Sequence, residues 1–226
     1  MTDSWAAVTS LGDSALLLPL MGWTGLCLLL SRDDRPLGVR WVAAAAVCGG
    51  VVALSKLLFM AWGVGSGLPG LDYTGFSGHT ALSLLTWPAL AALLARRARP
   101  WLRASVIGIG LLIGGAVAFS RLALKAHSVS EVVLGAVLAL LVVGWFLQGL
   151  LRDARRQDVD AAASDTDATG TAERRTMKRR LCLAVGAVVI AVCCYGAVFP
   201  SQHVLTDLAL WLSGRTEVFA RHSPAG

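Results

Sequence analysis

Six runs of apolar residues, each near the length of a membrane-crossing helix, constrain this chain more than any other feature. They fall at residues 14–30, 41–62, 77–95, 104–119, 129–151 and 181–199, against the roughly 20 helical residues needed to traverse a hydrocarbon core. The runs are apolar all round. Strands of a membrane barrel would alternate apolar and polar residues, whereas a helix satisfies its backbone groups within one segment. Composition agrees: 56 % of residues are hydrophobic and 15 % charged, too few charges to cover a soluble domain. The expected fold is an all-α integral membrane protein, a bundle of about six transmembrane helices. The first run reads as a permanent helix rather than a cleaved signal, because Asp3 and Asp13 precede it and no Lys or Arg does.

The domain plan follows from these runs. Residues 1–151 hold helices one to five, with the unusual polar residues gathered within 56–131. Residues 152–180, basic at both ends around AAASDTDATGTAE, read as a flexible basic cytoplasmic linker. Residues 181–226 hold the sixth helix and a tail, in which Pro200 stops the helix and VLTDLALWLSGR forms a short amphipathic helix on the outer surface. Trp41, Trp62, Trp101 and Trp145 fall near span ends, as interfacial anchors do. The five Cys lie inside apolar runs, a pattern that suggests neither a metal site nor a disulfide framework.

A net charge of +6 would raise the question of nucleic acid in a soluble protein. Here its distribution reports topology, and no nucleic-acid partner is expected. Fifteen Lys and Arg lie in the connections after the first, third and fifth runs, and four lie on the alternate side. Basic connections remain cytoplasmic. Both termini and the loops at 63–76 and 120–127 therefore face outward, and the expected location is a bacterial inner membrane with the site toward the periplasm or exterior.

Ionisable residues at the edges of membrane spans are costly enough to be functional candidates by default. Lys56, Ser77-Gly78-His79, Arg121, Lys125, His127 and Glu131 all converge on the outward side. No charge sits at mid-span and no internal repeat is visible, which disfavours an ion-coupled transporter. Ser77-Gly78-His79 opens a helix, where free N–H groups and the helix dipole receive an anion and Gly78 allows close approach. Lys56 and Arg121 add full positive charge, and a guanidinium matches the paired oxygens of phosphate. Two imidazoles supply a nucleophile and a proton donor. His127 and Glu131, four residues apart, share a helix face, so the carboxylate can fix the ring tautomer. Taken alone, Lys56 reads as a snorkelling Lys, Ser77 as an N-cap and Arg121 and Lys125 as headgroup anchors. Asp72 reads as a turn residue, and His203 and His222 receive no role.

The blocks GFSGHT at 75–80 and SRLALKAHSVSE at 120–131 resemble the signatures of the type 2 phosphatidic acid phosphatase family, Pro-Ser-Gly-His and Ser-Arg-x5-His-x3-Asp. The family's first signature, Lys-x6-Arg-Pro, is matched at Lys56 alone, with Gly63 and Val64 where Arg and Pro would stand. Phe76 replaces Pro, and Glu131 replaces Asp. The resemblance implies that His127 is the nucleophile forming a phosphohistidine, Glu131 its orienting carboxylate and His79 the acid. It implies that Ser77, Gly78, Arg121 and Lys56 hold the phosphate, with no metal or cofactor. Lys125 is the candidate auxiliary cation for the vacant Arg position.

The implied activity is hydrolysis of a phosphate or pyrophosphate ester of a lipid at the outer face of the membrane. Undecaprenyl pyrophosphate, phosphatidic acid, phosphatidylglycerophosphate and a lipid A phosphate all fit. A lipid phosphotransferase and a non-catalytic lipid-phosphate-binding protein are the alternatives. The expected partners are the lipid phosphate substrate and membrane lipids.

Overall fold

Helices in lipid associate through close packing and small residues rather than through exclusion of water, and the computed structural model of the chain is assembled in that way. The structure describes residues 2–65, 73–163, 169–197 and 201–220. Among the described residues there are eight helices and no strand: α1 Thr2–Ser10, α2 Ser14–Leu29, α3 Arg35–Trp62, α4 Gly78–Leu94, α5 Pro100–Ala123, α6 Val129–Ala163, α7 Thr169–Cys194 and α8 Ser201–Ser213. The stretches Ser4–Leu29, Arg35–Trp62, Pro100–Ala123 and Val129–Arg155 are long and apolar enough to cross a membrane. Two shorter apolar helices, Gly78–Leu94 and Arg180–Cys194, stand where the third and sixth spans are expected. The chain is an all-α membrane protein.

The centre of the bundle is α4, which packs against α2, α3, α5 and α6. Its Ala81, Leu85, Ala89 and Ala92 are completely buried, and small residues let its neighbours come close. On α5, a Cβ at Gly110 would stand 2.7 Å from the Pro88 Cα, and one at Gly114 would stand 3.0 Å from the Leu84 Cα. Larger side chains at this four-residue spacing would force the two helices apart. Exposed Val47, Val51 and Leu54 on α3, Ile109 and Leu112 on α5, and Val137 and Leu141 on α6 are the outward faces that lipid covers.

Several expectations are corrected. Trp41 is no interfacial anchor: its ring is buried, packs edge-on to Phe146 at 5.2 Å and donates Nε1–H to the Met21 carbonyl at 2.9 Å. Trp62, Trp101 and Trp145 remain exposed. The flexible linker expected over 152–180 is largely helical, since α6 continues to Ala163 and α7 begins at Thr169. Residues 152–163 contain neither Gly nor Pro, so nothing in them breaks a helix. Residues 164–168 lie outside the described residues, as do Asp72, Pro200 and His222.

The first and last helices among the described residues both pack onto the bundle. The first residues form α1, which lies on α5 with the Trp5 and Phe119 rings 5.1 Å apart. The expected amphipathic helix near the C-terminus is α8, and it packs on the end of α3, where buried Ala209 meets Phe59, Met60 and Ala61.

Candidate active site

The end of the bundle that carries α8 also gathers the polar residues singled out above, and local backbone geometry explains how. The last turns of α3 carry Lys56 and close at Gly63, whose φ of +68° is the left-handed conformation that Gly adopts freely. Gly75, with φ of +113°, lets the returning chain lie directly on Lys56: a Cβ there would stand 2.7 Å from the Lys56 Cγ. The Phe76 N–H donates to Ser55 Oγ at 3.0 Å, pinning the block to α3.

Ser77 then starts α4, and its role differs from the one expected. Its side chain is fully buried and paired with the Thr80 hydroxyl at 3.0 Å, while its N–H donates to the Glu131 carbonyl at 3.1 Å. Ser77 thus joins α4 to α6 instead of presenting its own N–H to a ligand. Gly135 permits this approach, since a Cβ there would fall 2.8 Å from the Ser77 carbonyl oxygen. Gly78, the next residue, lines the cavity described below, at a helix start where first-turn N–H groups have no helical partner.

A tight turn joins α5 to α6. The N–H groups of Ala126 and His127 both donate to the Arg121 carbonyl, at 3.0 and 3.4 Å, so the turn brings Arg121 and His127 together. His127 Nδ1 donates to Glu131 Oε2 at 2.6 Å. The carboxylate is completely buried, and such a group is tolerated only when fully hydrogen-bonded. Its Oε2 also accepts from the Ser128 N–H at 3.1 Å, and Oε1 accepts from the Thr74 N–H at 2.6 Å and the Thr74 hydroxyl at 2.5 Å. With Nδ1–H held in this way, the lone pair of Nε2 is left for chemistry.

Arg121 donates Nη1–H to Thr9 Oγ1 at 3.0 Å, while its Nε is buried and has no hydrogen-bond partner. A donor in that condition suits an incoming anion, because leaving it unsatisfied costs about 1–3 kcal/mol. Lys56 Nζ donates to Gln202 Oε1 of α8 at 3.2 Å, and His79 Nε2 lies 3.6 Å from Asp13 Oδ2. Outside the helices, the Tyr73 phenol is pushed above its usual range by burial, which keeps it protonated.

Several of these groups line a cavity of about 940 Å³. Lys56, His79, Arg121 and His127 line one part of it, and Leu18, Val52, Phe59, Met60, Leu205 and Phe219 give it an apolar wall. Among the described residues, Lys56 and Arg121 are its only Lys or Arg. Lys125 is not brought in: it is exposed, with φ of +52°, and does not line the cavity. The vacant Arg position at Gly63 is covered by Phe219, whose N–H donates to the Met60 carbonyl at 2.9 Å and whose ring leaves no room for a Cβ. Among the described residues no group of three His, Cys, Asp or Glu is arranged to hold a metal ion.

Sequence reasoning missed Thr74, Asp13, Thr9 and Gln202. Asp13 left a signal as an N-cap residue before an apolar run, whereas the other three have none.

Comparison with known proteins adds three findings. The family model of the PAP2 superfamily matches residues 55–157. A Klebsiella pneumoniae protein described as "Uncharacterized 22.5 kDa protein in cps region" is 40 % identical over 135 residues, which are 60 % of this chain and 64 % of that protein, so the match spans less than two thirds of its length. No solved structure matches.

Proposed function

We propose, from the match of the PAP2 superfamily model to residues 55–157, that this chain is a membrane lipid phosphatase, hydrolysing a phosphate or pyrophosphate ester of a lipid at the outer face of the membrane through a phosphohistidine. The observation that carries this reading is the 2.6 Å His127–Glu131 pair beside an Arg121 whose buried Nε is unpartnered. The apolar wall of the cavity supports a substrate with a hydrocarbon tail. The excess of Lys and Arg at the opposite end of the bundle supports the outward orientation.

In this mechanism Arg121, Lys56 and the N–H groups at the start of α4 hold the phosphoryl oxygens. The Nε2 of neutral His127 attacks phosphorus in line with the leaving oxygen. The new N–P bond forms as the P–O bond breaks, and protonated His79 gives its proton to the departing lipid oxygen. Glu131 stabilises the positive charge that develops on the His127 ring. Water then attacks the phosphohistidine and passes a proton to the now neutral His79. The P–N bond breaks, and phosphate leaves with both imidazoles restored.

The test is phosphate release from a panel of lipid phosphates by the purified protein in detergent, with phosphoenzyme trapped by rapid quench from a ³²P-labelled substrate. His127→Ala should abolish both turnover and label. Full activity in that variant would sink the assignment.

A further inference from the structure

Both imidazoles in the cavity have a carboxylate beside them, but the two pairs are built differently. His127 is held by Glu131 through a hydrogen bond of 2.6 Å, whereas His79 Nε2 stands 3.6 Å from Asp13 Oδ2, an ion-pair separation beyond hydrogen-bond reach. Asp13 comes from the turn between α1 and α2, outside the family match at 55–157.

That turn is seated on α4 by several contacts. A Cβ at Gly12 would fall 2.8 Å from Ser83 Oγ and 3.3 Å from the His79 Cβ, so the absence of a side chain lets the turn lie against His79. Trp87 of α4 donates Nε1–H to the Leu11 carbonyl at 3.1 Å. Asp13 Oδ1 accepts the Ala15 N–H at 2.8 Å and caps α2. One carboxylate oxygen therefore serves the helix, and the other lies on the His79 side. The charged and titratable groups facing His79 are Asp13, Arg121, His127 and Lys56, of which Asp13 alone is acidic.

We propose that Asp13 is the positioning residue of the proton donor, holding the His79 imidazolium in place in the cavity it shares with the Lys56 and Arg121 cations and ready to protonate the leaving oxygen. This rests on the phosphatase reading above. An imidazolium among cations is electrostatically unfavourable unless a negative charge stands close by. At ion-pair distance the carboxylate supplies that charge without capturing the proton, which stays transferable. The short Glu131 bond does the opposite for His127, where an orientation must be fixed and no proton leaves. Asp13 also faces the Arg121 charge, but an effect carried by Arg121 on the phosphoryl oxygens would fall on every ester alike, whereas one carried by His79 falls on the ester whose leaving oxygen needs a proton.

The experiment compares kcat and KM on two phosphate monoesters, dioctanoyl phosphatidate, whose alkoxide needs a proton to leave, and p-nitrophenyl phosphate, whose phenolate leaves unaided. Asn caps helices as well as Asp does, so Asp13→Asn keeps α2 capped while removing the charge. It should lower kcat on dioctanoyl phosphatidate about tenfold or more and leave kcat on p-nitrophenyl phosphate within about twofold. Asp13→Glu should recover part of the loss, and Asp13→Asn added to His79→Ala should cost nothing further. An unchanged kcat on the phosphatidate, an equal loss on both esters, or a further loss on the His79→Ala background would each overturn the proposal. If His127→Ala is inactive and His79→Ala is slow but Asp13→Asn matches the parent, Asp13 alone is wrong. Turnover that survives His127→Ala, or a parent that releases phosphate neither from these esters nor from any member of the lipid phosphate panel, would remove the phosphatase reading and this inference with it.

Discussion

Replacing Glu131 by Gln exchanges one oxygen of a fully buried side chain for an NH₂ group and should disable the protein by one of two routes. Glu131 accepts from the Thr74 N–H and hydroxyl on Oε1 and from His127 Nδ1 and the Ser128 N–H on Oε2. An amide offers one acceptor and one donor group in the same space. If its NH₂ faces Thr74, two buried N–H groups meet, and the unsatisfied donors cost about 1–3 kcal/mol of stability. If its NH₂ faces His127, the Ser128 N–H loses its acceptor and Nδ1 must itself accept. The ring proton then sits on Nε2, the atom that attacks phosphorus in the proposed mechanism. Forcing the wrong imidazole tautomer in a serine-protease triad lowers kcat about 10⁴-fold, which corresponds to roughly 5.5 kcal/mol of transition-state stabilisation. The expected result is a loss of about 10³–10⁴-fold in kcat, with trapped phosphoenzyme falling in parallel. Turnover of dioctanoyl phosphatidate and quench-trapping of the ³²P-phosphoenzyme read the chemistry, and circular dichroism melting in detergent reads the fold. A Glu131→Gln protein that keeps kcat within about tenfold of the parent would refute the view that the carboxylate sets the His127 tautomer.

Lys125→Ala should leave kcat/KM within about twofold of the parent, because the side chain is exposed and does not line the cavity. A tenfold loss would restore Lys125 as the substitute for the absent Arg. In a Cys-free background, a Cys at Lys125 should react with an impermeant thiol reagent in intact cells and one at Arg99 should not, since these exposed positions lie at opposite ends of α5. The reverse labelling would invert the topology and place the site on the cytoplasmic side.

What was legible in the sequence was what local spacing encodes. The spans announce themselves because every face of a lipid-embedded helix is apolar. His127 and Glu131 could be paired because four residues make one helical turn, and the 2.6 Å contact between them is a consequence of that geometry. Thr74 was invisible because its contact with Glu131 joins residues 57 apart in the chain, and no periodicity reaches so far. Thr9 on Arg121, at a separation of 112, and Gln202 on Lys56, at 146, are still more remote. Trp41 was misread for a related reason. An amphipathic ring at the end of an apolar run fits an interface equally well, and only the fold offers its N–H the Met21 carbonyl.

The vacancy in the first signature takes a different meaning once the chain ends are placed. Read along the sequence, Gly63 marks a missing cation for which another cation should compensate. In the folded chain the position is a left-handed helix end under the Phe219 ring, and the space beside Lys56 is reached by the neutral amide of Gln202. The C-terminal segment thus covers the position at which the signature carries its cation, and the N-terminal turn brings the Asp13 carboxylate into the same cavity. With Gly63 in place of the signature's Arg and Asp13 in the lining, the cavity is less cationic than one with a full first signature. Asp13, Gln202 and Phe219 all lie outside residues 55–157, so segments beyond the matched region take part in lining the cavity. Restoring the cation at Gly63 by substitution would fail on geometry alone, because a side chain there meets both a φ of +68° and the Phe219 ring.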